Sequence, residues 1–136
     1  MLKKIVAFGP AVVWAFFILV GCIMNVSQFP KLYLNWFSFG IDKLAHFVLF
    51  GTQALLLNIA WVHYQKNKFW YLIGAIISAV YGILIEQLQG TFFIYRTYEL
   101  EDMYANCLGA FCYSLVLFVF DPLFKKAVSM FWPSRN

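Results

Sequence analysis

The sequence predicts an all-α protein: an integral membrane bundle of four transmembrane helices, with N- and C-termini cytoplasmic, folded as a single domain over residues 1–136. Three observations lead there. Of the 136 residues, 63% are hydrophobic and only 12% charged, about half the charged fraction of a soluble domain, and mean hydropathy is +0.75. Four apolar runs approach the roughly 20 residues that a helix needs to cross a hydrocarbon core. The basic residues are also unevenly shared between the connections on the two sides, as topology signals are.

The first span covers about residues 5–26 and carries no charge. Its Leu19-Val20-Gly21-Cys22, after Lys3 and Lys4, is similar to a lipoprotein cleavage signal, which would make Cys22 a lipidated N-terminus. The run is long enough to span uncleaved, and that is the expectation adopted. The second span, about 44–64, has His46 near its start; the third, about 69–89, has Glu86 near its end; the fourth, about 102–120, is stopped by Asp121-Pro122. Backbone amides in lipid must be satisfied within their own element, so these runs should be helices. Unbroken runs also exclude a β-barrel, whose strands are short and alternating.

The 63–68 connection is short, which makes spans two and three an antiparallel hairpin, and Trp61, Tyr64, Trp70 and Tyr71 flank it as interface aromatics do. The 27–41 connection holds Pro30, Tyr33, Trp36, Phe37 and Phe39, which suits the interface better than water. Beyond Pro122, Leu123, Phe124, Ala127, Val128 and Phe131 alternate with Lys125, Lys126 and Ser129, the pattern of an amphipathic helix on the inner membrane surface. With the N-terminus inside, Lys3, Lys4, Lys66, Lys68, Lys125, Lys126 and Arg135 are internal, seven residues, against three outside, Lys31, Lys43 and Arg96. That split places both termini in the cytoplasm. The net charge of +4 lacks the clustered stripe that nucleic acid requires, so no nucleic-acid partner is expected. Cys22, Cys107 and Cys112 lie in apolar runs and read as packing residues.

Ionisable groups in or beside membrane spans are costly and mark functional sites. Here they converge on the outer side: Asp42, Lys43 and His46 at the start of span two, Glu86, Gln87 and Gln89 at the end of span three, Arg96 in the next connection, Asp102 and Asn106 at the start of span four. Asp42 and His46 share a helix face, as do Asp102 and Asn106; Gln53 continues the first face and Gly109 the second. Gly74, Ser78, Gly82 and Glu86 form a ladder of four-residue steps on span three, and small residues at that spacing admit a neighbouring helix closely. Such approach brings Glu86 beside His46 and Asp102. Plainer roles exist. Asp42 and Asp102 serve equally as helix N-terminal acids, His46 as a partner of Asp42, Arg96 as a ligand of lipid phosphate, and Tyr81, Tyr104 and Tyr113 as packing or belt residues. Asn58 and His63 fall toward the inner end, and no chemistry is assigned to them.

Three blocks in this order carry a resemblance. Asp42-Lys43-Leu44-Ala45-His46-Phe47, then Tyr81-Gly82-Ile83-Leu84-Ile85-Glu86-Gln87-Leu88-Gln89, then Arg96, Asp102, Asn106, Gly109 and Ala110 resemble the D-K-x-x-H-F, Y-G-x-x-I-E-x-x-Q and R…D…x-N-x-x-G-A blocks of the VanZ-like membrane protein family, over 42–110. Ile94-Tyr95 stands where the family often has Pro-Gly, and Glu99 and Glu101 are additional acids. The resemblance implies a small helical protein of the bacterial cytoplasmic membrane. Its founding member is linked to resistance to teicoplanin, a lipoglycopeptide; no reaction is carried over.

Three mechanisms fit. In the first, Asp42, Lys43, His46, Glu86, Gln89, Arg96, Asp102 and Asn106 bind a lipid headgroup, a lipid-linked cell-wall precursor or a lipoglycopeptide, with the cations meeting phosphate or carboxylate. In the second, a membrane-embedded hydrolase or transferase uses His46 or Glu86 as general base and Arg96 to stabilise negative charge. No cofactor is required by the sequence; a metal, if one served, would draw on Asp42, His46, Glu86 and Asp102. In the third, the cluster only locks three helix ends together.

Overall fold

The computed structural model describes residues 2–23, 40–62, 64, 67–92 and 98–131, with the backbone alone at 2–5, 23 and 131. Helix accounts for 93% of these and no strand occurs among them, as expected where backbone amides must pair within their own element. In chain order the helices are α1 (Leu2–Ile23), α2 (Ile41–Val62), α3 (Phe69–Phe92), α4 (Leu100–Val119) and α5 (Asp121–Phe131). Three of them, α2, α3 and α4, are long and apolar enough to cross a membrane; the apolar stretch of α1, Val6–Cys22, is shorter. Large apolar side chains on the outer faces, such as Val13, Phe16, Leu84, Leu115 and Val119, are exposed, the surface that a bilayer would cover.

The ends differ from the sequence reading by a few residues, each for a local reason. α2 starts before Leu44 because the Gly40 carbonyl accepts from Leu44 N–H at 3.3 Å, which puts Asp42 and Lys43 inside the helix. Asn67 caps α3, its Oδ1 accepting from Phe69 N–H at 3.0 Å. α4 opens with Glu101 and Asp102 in its first turn, where acids suit the helix dipole. The expected amphipathic segment is α5. Its Val128 is buried while Leu123 and Met130 remain exposed.

α2 and α4 run parallel and make the most extensive contact, with α3 antiparallel against both. Small residues set this seam. A Cβ on Gly109 would strike the Phe47 backbone, and one on Gly51 would strike the Tyr113 ring. The ladder of α3 also turns inward: Gly74 faces Asn58, Ser78 is buried, and Gly82 faces Asn106, with a Cβ there 2.7 Å from Asn106 Cβ. α1 leans on α2 and touches α3 more lightly. Trp14 Nε1–H donates to Leu49 O at 3.0 Å, and Tyr81 O–H to Ala15 O at 2.6 Å. Cys22 is buried with Ile18, Phe50 and Ile85, so cleavage ahead of it would strip Ile18 from that core. Among the other cysteines, Cys107 is half-buried and Cys112 exposed, and no disulfide joins any of the three.

Candidate functional site

The polar groups at one end of the bundle assemble around His46. Asn106 is fully buried on α4, and its Nδ2–H points at the Gly82 carbonyl of α3, 3.4 Å away. That contact orients the amide, so Asn106 Oδ1 faces His46 Nδ1 at 2.9 Å. An amide oxygen only accepts, so in this pairing Nδ1 carries the hydrogen and Nε2 faces Asp102. Carboxylates flank the ring on both sides: Glu86 Oε1 lies 3.6 Å from Nδ1, and Asp102 Oδ2 lies 3.6 Å from Nε2. Three helices thus each supply one member, α2 His46, α3 Glu86 and α4 Asp102. A ring nitrogen and two carboxylate oxygens all lie within 4.8 Å of one another in buried surroundings. Glu86 is only 1% exposed, and a carboxylate so deep is held by its neighbours rather than by water.

Toward the end of the bundle Lys43 is enclosed by acids. Its Nζ lies 3.1 Å from Glu101, 3.4 Å from both Glu99 and Asp102, and 3.6 Å from Asp42. Asp102 therefore ties the two layers together, one oxygen facing Lys43 and the other His46. The expectation that Lys43 meets a ligand phosphate does not fit this geometry, because its ammonium is already matched by carboxylates. The acids that do so, Glu99 and Glu101, stand in the sequence as mere additions to a motif. Their nearness to Asp102 was the available signal.

Two further expectations change. Asp42 is an exposed side chain at 58% and lies outside the buried triad; its acid neighbours are Glu99 and Asp102. Gln89 is buried but turns toward α1, donating from Nε2 to Cys22 O at 2.8 Å. Through that bond it fastens α1 to α3. Arg96, His63 and the aromatic 27–39 stretch lie outside the described residues.

The opposite end carries polar chemistry that the sequence reading did not mark. Asn58 Nδ2–H donates to Ser114 Oγ at 3.0 Å, and Tyr71 O–H donates to Asp121 Oδ1 at 2.7 Å. Lys125 Nζ sits 3.0 Å from the same carboxylate. Burial pushes the Asp121 carboxyl up, but the Tyr71 hydroxyl and the Lys125 and Lys68 ammonium groups outweigh it and hold it below the ordinary carboxylate range. No family model, no curated protein and no solved structure matches the chain.

Proposed function

We propose that this is a VanZ-like protein of the bacterial cytoplasmic membrane, with four spans and cytoplasmic termini. Its His46 cluster faces outward and binds the polar headgroup of an envelope component. The observation that carries this reading is the imidazole oriented by Asn106 between Glu86 and Asp102, at the end of three membrane-length helices. Buried ionisable groups of this kind are expensive in a membrane and are retained where they act. The charge balance narrows the ligand. Asp42, Glu86, Glu99, Glu101 and Asp102 outnumber Lys43, so the described cluster suits a group rich in hydrogen-bond donors, such as sugar hydroxyls, amides or an amine. A lipid-linked cell-wall precursor or a lipoglycopeptide presents these; a bare lipid phosphate does not, and phosphate contact falls to Arg96. Binding of this kind lowers teicoplanin susceptibility by retaining the drug or changing its target.

A second reading has its own support. The His46, Glu86 and Asp102 donor atoms, within 4.8 Å of one another, are the ligand types of a hydrolytic divalent-metal site. It predicts turnover of a lipid-linked substrate and dependence on the ion.

Glu86→Gln separates the readings. Wild type and variant are expressed in a susceptible bacterium, the membrane-inserted protein is quantified, and teicoplanin susceptibility is measured beside the envelope lipid profile. Equal abundance with loss of the susceptibility effect supports the binding site; loss of a lipid product supports the enzyme. Disappearance of the variant from the membrane makes Glu86 chiefly structural, and the site assignment is then withdrawn unless another residue of the cluster passes the same test.

A further inference from the structure

Below the His46 cluster the seam between α2, α3 and α4 stays polar. Gln53, Ser78 and Asn58 are 5%, 0% and 1% exposed. Yet Gln53 Oε1, Ser78 Oγ and Asn58 Oδ1 have no hydrogen-bond partner among the described residues. Oxygens withheld from both water and protein are costly, and buried groups of this sort are normally met by internal water.

Their spacing is regular. At a rise of about 1.5 Å per residue, Gln53 lies roughly 10 Å below His46, and Asn58 roughly 7 Å below Gln53. The upper interval is shared by Asn106 and the Gly82 carbonyl, which already contact each other, and Ser78 follows Gly82 by one turn. Asn58 reaches Ser114 at 3.0 Å. Beside Asn58 lies a water-sized cavity lined also by Tyr71, Asp121 and Lys125. Around this stretch of the seam the buried alanines Ala54, Ala79 and Ala110 pack together, so only small side chains adjoin the polar oxygens. Polar atoms therefore recur from one end of the membrane-length helices to the other, with titratable groups at both ends.

We propose that this seam of buried oxygens orders a single file of water that conducts protons along α2, α3 and α4 between the two ends of the bundle. A proton taken up at one end is passed along as each water accepts one hydrogen and donates another, and one proton leaves at the other end. No bond to carbon or phosphorus changes and no oxidant is needed. The conduction rests on the reading that α2, α3 and α4 span the membrane, and its test needs no ligand at the His46 cluster.

The test uses the full chain in sealed vesicles of neutral and anionic phospholipid that contain a pH-sensitive dye. A potassium gradient with valinomycin supplies the driving potential. The expected result is proton flux above that of protein-free vesicles, with no flux of potassium or chloride through the protein. Gln53→Leu keeps the side-chain bulk and removes the polar relay, so the protein-dependent flux should be lost. Ser78→Ala, too small a change to unfold a helix, should reduce it as well, and serves if Gln53→Leu fails to insert. Wild-type flux equal to that of empty vesicles overturns the proposal and leaves the oxygens with static waters. So does unaltered flux in whichever of these variants inserts.

Discussion

Replacing Gly109 with alanine sets a methyl group against the backbone of another helix, and the cost follows from that contact. The new Cβ would sit 2.8 Å from the Phe47 carbonyl carbon and 3.0 Å from Phe47 Cα, where carbon atoms prefer roughly 3.5–4.0 Å. A flexible side chain can swing aside; helix backbone does not, so α2 and α4 must part. Overpacking of this sort costs about 1–3 kcal/mol. Alanine returns about 1 kcal/mol in helix propensity, which leaves a net loss of up to roughly 2 kcal/mol against wild type and about 1–3 kcal/mol against an alanine substitution in open space. In detergent micelles the melting midpoint should fall by a few degrees. Gly9→Ala and Gly21→Ala are the matched controls, since an added Cβ there meets nothing within 4 Å, and both should melt at or above wild type. A Gly109→Ala protein as stable as these controls would refute the close α2–α4 approach, and with it the alignment that brings Asn106 to His46.

Asn106→Leu removes the acceptor that holds His46 Nδ1–H, so nitrogen-15 spectra of the imidazole should change from one dominant tautomer to a mixture; an unchanged spectrum would mean that Asn106 does not orient the ring. Lys43→Met leaves Glu99, Glu101 and Asp102 facing one another without their ammonium, and melting should drop at neutral pH, with partial recovery in Lys43→Met/Glu101→Gln; equal melting of single and double variants contradicts the caged-lysine geometry. The folded Asp121 carboxyl lies below its ordinary value. Its contribution to stability is therefore complete above about pH 4, the unfolded value, and is lost as pH falls through the lower folded value. Melting followed from pH 7 to pH 2 should show this loss in wild type and not in Asp121→Asn; parallel curves would argue against the Tyr71–Asp121–Lys125 contact.

Much of the bundle is legible in the sequence because lipid permits few solutions. Apolar runs near 20 residues place α2, α3 and α4 within a few residues, and an inward ladder of Gly74, Ser78 and Gly82 has to face a partner. The same logic brings His46, Glu86, Asp102 and Asn106 together, since each is a polar group at the same end of its span. Pairing choices were harder to read. Gly51 and Gly109 are isolated glycines, and only the three-dimensional path reveals that α2 meets α4 more fully than it meets its hairpin partner α3. Lys43 looked available to a ligand because ion pairs 56 and 59 residues distant leave no local pattern. Gln89 fitted the family block, yet its donor serves the Cys22 carbonyl. Asp121 reads as a helix stop, and its hydroxyl partner Tyr71 is 50 residues away.

The pairing of α2 with α4 also sets an order of assembly. Helices enter a bilayer from the N-terminus, so α2 and α3 are inserted while α4 is still being made. Until then His46 lacks its acceptor, Asn58 lacks Ser114, and Lys43 lacks the acids of α4. A chain that stops at α3 keeps these polar groups without their α4 partners, which is costly in hydrocarbon. Addition of α4 is therefore the step that satisfies the seam, and damage to α4 should shorten cellular lifetime more than equal damage to α1.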